Sequence, residues 1–182
     1  MGNQDAPRTD RLQTNTLRMV LLVIVIIIVI SLLTVTFTTR DLLWFTTTFN
    51  EPVEKVVVYH AGQKTVFVMG TPGFEDLAQG IWASLNSGVS RPSGIGLSAE
   101  SLQDAYQKYV SVEAFYPYPV KLHSWFNMGN PTQMLFLITG RHTEMPVVFM
   151  GEGDRYLAGA PIINSNQPLR DALNRLGYKT TE

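Results

Sequence analysis

Apolar and polar positions divide the chain into two regimes. Between Arg18 and Arg40 runs MVLLVIVIIIVISLLTVTFTT, an uncharged stretch of 21 residues whose first 12 are all large and apolar. A helix of that length covers roughly 31 Å, about the hydrocarbon thickness of a bilayer. A helix lying on a water-soluble core carries a polar stripe, and this one has none before Ser31. A secretory signal has an apolar region of about 7 to 15 residues closed by a small-x-small cleavage site. Here the run is longer and closes with LTVTFTTR. The expectation is a transmembrane signal-anchor helix over 19–39, with a short tail at 1–18 and a juxtamembrane linker at 40–52.

Arg8, Arg11 and Arg18 precede the run, whereas only Arg40 and Lys55 follow it closely. Positive charge accumulates on the cytoplasmic side of such helices, so the tail is assigned to the cytoplasm and residues 53–182 to the outside of a cell membrane. Arg18, Arg40, Trp44 and Phe45 are the expected interface residues, the aromatic pair suiting the headgroup level.

Beyond Pro52 the periodicity changes. VEKVVVYH and KTVFVMG are β-branched and aromatic and are separated by AGQ, which predicts a hairpin. Phe74, Leu77, Ala78, Ile81, Trp82 and Leu85 recur at helical spacing, with Glu75 and Asp76 at the positive end and Gly88 at the stop. A second helix is expected after an N-cap at Ser98, and a third after Asn166, with Pro168 in its first turn and Gly177 as terminator. Met134–Thr139 is the best candidate for a central strand, MPVVFM and RYLAG supply two more, and the prolines at 117 and 119 send the second half of YVSVEAFYPYPVKLH to an edge. Residues 87–96, rich in glycine, read as a flexible connection. Strands that come as hairpin neighbours imply an α+β domain: a mostly antiparallel sheet of about six strands with two or three helices packed on one face.

Composition narrows the function. Beyond Arg40 there are 10 Lys and Arg against 13 Asp and Glu, so the domain lacks the basic face of a nucleic-acid binder. The absence of cysteine excludes disulfides, thiolate metal sites and cysteine nucleophiles. GEGD at 151–154 looks like a working loop, yet Glu152 and Asp154 are too few oxygens for a calcium loop, and Arg155 competes beside them. Gly151 and Gly153 instead suit a turn. Glu113 and Glu144 read as solvated surface. His60, His123 and His142 match no metal spacing, and no serine-nucleophile or phosphate-loop motif occurs. No metal or cofactor is therefore expected.

The loop opened by His123 is unusual, because Trp125, Phe126 and Met128 crowd a stretch broken by Gly129 and Pro131. Either it folds back as a lid, or, with Tyr116 and Tyr118, it presents a partner contact. The sequence thus points to a membrane-anchored, non-catalytic interaction domain, a subunit, assembly factor or regulator with a protein partner at the outer membrane face. A tethered sensor or carrier of a small apolar ligand bound beneath helix 74–85 is the alternative. A hydrolase is the third reading, and it requires a histidine within hydrogen-bond reach of an acid or nucleophile.

Overall fold

A computed structural model of the chain describes residues 8–140, 143–153 and 155–180. His142, Asp154 and residues 1–7 of the tail lie outside them.

The uncharged run forms helix α1, Arg8–Thr39. Its large apolar side chains from Leu17 to Leu33 are exposed, and the portion Asn15–Thr39 is long and apolar enough to cross a membrane. Near its end, where hydroxyls interrupt the apolar sequence, Thr34, Thr38 and Thr39 donate to the carbonyls of Ile30, Thr34 and Val35. That back-bonding satisfies a hydroxyl without a partner from outside the helix.

The valine-rich segments form the expected hairpin, β1 (Lys55–His60) and β2 (Gln63–Val68). Ala61 and Gly62 join them with φ of 48° and 79°. Two left-handed residues in succession give the turn whose twist matches that of paired strands. Helix α2 (Phe74–Leu85) follows, then β3 (Val89–Pro92), then α3 (Ala99–Gln107), whose N-cap Ser98 accepts a bond from the Ser101 N–H. Strands β4 (Val110–Phe115), β5 (Gln133–Leu137), β6 (Val148–Glu152), β7 (Arg155–Tyr156) and β8 (Pro161–Ile163) lead to α4 (Gln167–Arg175).

Six strands make one antiparallel sheet in the order β2-β1-β4-β5-β6-β7, while β3 and β8 pair separately. The fold is α+β, as the periodicity implied. Strand β5 lies in the middle, as expected, and so does β4, because it stops at Phe115 before the prolines begin. The edges differ. Strand β2 exposes Val66 and Val68, and Met69 beyond it, along its whole length, whereas β7 lasts only two residues.

Alternation of side chains across the strands gives the sheet two covered faces. On one, Val56, Val58, Val112, Ala114, Met134 and Phe136 meet Leu77, Ile81 and Leu85 of α2 and Leu169 and Leu173 of α4. These two helices touch at Gly80, where a Cβ would lie 3.1 Å from both the Ala172 Cβ and the Leu169 Cα. On the other face, Leu135 and Phe149 are buried beneath Ile95, Leu97, Leu102 and Tyr106. This second layer corrects the expectation of helices on one face. It also corrects the reading of residues 87–96 as a flexible connection, since they include β3, whose neighbour Ser93 donates to the Ala160 carbonyl.

Candidate functional site

Two polar constellations stand out from this apolar framework. The first lies where α1 enters the domain. The helix stops at Arg40, whose φ of 52° no helix can continue. Asp41 follows, 5% exposed. Its carboxylate accepts the Leu43 N–H at 2.9 Å and His123 Nδ1 at 2.8 Å, and Lys121 Nζ donates to the Arg40 carbonyl. Burial alone would raise the Asp41 carboxyl, but the bonds from His123 and Leu43 and the charges of His123 and Lys121 outweigh it and hold the group below its ordinary range.

The linker that follows is packed rather than loose. Asn86 grips both backbone groups of Phe49, accepting its N–H and donating to its carbonyl. The Trp82 indole donates to the Glu51 carbonyl at 2.8 Å. Phe49 itself is buried, edge-on to Tyr116.

The aromatic loop divides accordingly. Tyr116 is buried, its hydroxyl against Met134 Sδ, so it cannot present a surface to a partner and is removed from that set. His123 is occupied by Asp41. Phe126 and Met128 are half-buried, and Met128 packs on the core. Trp125 and Tyr118 remain outside, 54% and 46% exposed. The loop therefore folds back on the core at Met128 and leaves Trp125 in the open. Of the expected interface residues, Arg18 and Arg40 are exposed, Phe45 is largely exposed like Leu42, and Trp44 is half-buried edge-on to Phe45.

The second constellation was not foreseen. Glu113, read as solvated, is 4% exposed. Its parity places it on the face that α3 covers, where three phenols close around it. Tyr59 donates to Oε2 at 3.0 Å, Tyr106 to Oε1 at 3.3 Å, and Tyr156 also to Oε1. The rings of Tyr59 and Tyr106 stack with centroids 4.2 Å apart. Burial first, and then the neighbouring Glu113 charge, raise the Tyr59 and Tyr156 hydroxyls, and Tyr106 is pushed up to about 12. A cavity of about 320 Å³ opens onto this cluster, with Leu102, Phe115 and Gln133 completing its walls.

The remaining candidates are plain. Glu152 is exposed at the end of β6, opposite Arg155 in the hairpin register. Gly153 has the positive φ of a turn, 61°, but Gly151 does not; a Cβ there would strike the Gln133 side chain at 2.7 Å. Gly151 is needed for a close approach, which corrects its reading as a turn residue. His60 sits edge-on to Tyr178. Among the described residues no group of three or more His, Cys, Asp or Glu is placed to hold a metal ion.

Fold and site together define an α+β domain joined, without slack, to a helix able to span a bilayer. Comparison of the chain with protein-family models, with curated proteins and with solved structures finds no match.

Proposed function

We infer that the chain is a single-pass plasma-membrane protein, N-terminus inside, whose outer domain is a non-catalytic interaction module: a subunit, assembly factor or regulator of a membrane complex. The observation that carries this reading is the seat of Asp41 on His123 at 2.8 Å. A connection spanning 40–52, fully extended, would reach roughly 43 Å and let the domain swing. Instead it is bonded to the domain near both ends, which holds the domain close to the end of α1. Tethering of that kind raises the effective concentration of a surface beside a membrane partner, and Trp125 and Tyr118 are the exposed aromatics available for such a contact.

The other readings find less support. The space between α2 and the sheet, where the alternative reading puts an apolar ligand, is filled by Leu77, Ile81 and Leu85 at 0% exposure. A histidine does lie within reach of an acid, as a hydrolase requires, but among the described residues no hydroxyl contacts His123, and Ser124 donates to the Phe126 carbonyl.

Crosslinking in intact membranes, followed by capture of the wild type and of the Trp125→Ala, Tyr118→Ala variant, tests the module. Loss of a defined partner band, by at least about tenfold as expected for central aromatic anchors, supports it; an unchanged band removes these residues. A reporter fused after Glu182 that is active only in the cytoplasm would overturn the orientation.

A further inference from the structure

The Glu113 cluster has no role in that reading, and its chemistry points to a ligand of its own. Each of its three phenols has one proton to give, each hydroxyl reaches the same carboxylate, and Tyr106 is also bonded to Tyr59 and Tyr156, so the protons are engaged within the cluster. What the cluster then offers outward is mainly acceptor capacity: phenol oxygens whose hydrogens are engaged, and the remaining lone pair of Glu113 Oε2. An anion would lie against the buried Glu113 charge, and of the lining side chains only the neutral Gln133 amide brings N–H donors. A charged donor finds several acceptors, a buried negative charge, and aromatic rings on the walls.

Among the described residues no cation neutralises Glu113 by direct contact. The ion pairs among the described residues are Lys108 with Asp104, His123 with Asp41, and Arg175 with Asp76. Lys55 comes nearest in register, facing Phe115 across β1 and β4, yet its ammonium sits 4.0 Å over the Phe115 ring. That contact shows one wall of the cavity already attracting a cation by its π face. The Glu113 carboxylate beside it makes no ion pair among the described residues.

We propose that the cavity bounded by Tyr59, Tyr106, Glu113, Phe115 and Tyr156 binds a small organic cation that donates hydrogen bonds, a primary alkylammonium group or the end of a polyamine. The ammonium sits against the phenol oxygens and Glu113, and the alkyl chain lies along Leu102 and Phe115. Lys55 borders the site as an intramolecular competitor.

Full-length protein in nanodiscs, titrated with propylammonium and with 1,4-butanediammonium and followed by tyrosine difference absorbance, tests this. Saturable binding with a dissociation constant on the order of 1 mM is expected for so few ligand atoms. Glu113→Gln should weaken it by about tenfold or more, the loss of a charge-assisted bond. Tyr59→Phe, which preserves the ring stack, should weaken it about threefold, and Lys55→Gln should tighten it; these two carry the test if Glu113→Gln does not fold. Tetramethylammonium, which has no N–H, should bind at least about tenfold more weakly. Absence of saturation at about 50 mM, far above that constant, overturns the proposal. So does equal affinity for tetramethylammonium, or a Lys55→Gln variant that binds no tighter.

Discussion

Replacing His123 with alanine should loosen the whole domain from its helix. The imidazole is 18% exposed and the Asp41 carboxylate 6%, so the bond between them is largely shielded from water. A hydrogen bond to a charged group contributes about 1.5 to 3 kcal/mol. The Leu43 N–H remains on Oδ1 in the variant, and water can enter the space left by the ring, so a loss of about 2 kcal/mol is expected. For a domain of this size that lowers the melting temperature by roughly 6 to 10 °C. The chain has no cysteine, so spin labels on cysteines introduced at Leu33 and Tyr118, both exposed, report only the separation of helix and domain. Electron double resonance in nanodiscs should give a narrow distance distribution for the labelled parent and a broad one after His123→Ala. The pH dependence follows from the carboxyl itself. Because the folded Asp41 lies below its ordinary value, its contribution is complete above the unfolded value of about 3.9 and is lost as pH falls through the folded one. The stability gap between parent and Asp41→Asn should therefore be widest from about pH 5 upward and close below about pH 4. An unchanged melting temperature with an unchanged distance distribution in His123→Ala would refute the seat.

Gly140→Ala should destabilise by about 2 kcal/mol or more in denaturant titration, because φ there is 98° and the new methyl would lie 2.6 Å from the Tyr109 ring. Ala61→Asn should stabilise by about 0.5 to 1 kcal/mol, since Ala61 holds a φ of 48° that asparagine adopts more readily, giving the favoured Asn-Gly turn. Arg170→Met should cost about 2 to 3 kcal/mol, because the guanidinium satisfies the Ile138 and Thr180 carbonyls and methionine replaces only its stem. Thermal melts of the full chain check both of these.

Much of this framework was legible because its signals are local. The spacing of Phe74 to Leu85, the Ser98 cap and the Pro168 start each depend on one turn of chain, and each element stands where its pattern placed it. What was not local was lost. Glu113 sits opposite Val112 and Ala114 in parity, which was read correctly, but the far face was assumed wet. A signal against that assumption was available: β5 is apolar at both parities, Leu135 as well as Met134 and Phe136, and such a strand needs cover on both sides. Strands β3 and β8 are hidden in the sequence because they are short and each contains a proline. Tyr116 and Tyr118 look alike in sequence, and only the packing of Phe49 distinguishes the buried one.

The unequal edges of the sheet limit how the molecule can associate. A sheet with two long free margins can add copies without end. Here β7 closes one margin of the six-stranded sheet after two residues, leaving β2 as that sheet's long margin. Two chains joined through β2 would each use up the other's open side. Strand addition to this sheet through β2 is therefore self-limiting: a second copy that pairs there uses up the long margin of both.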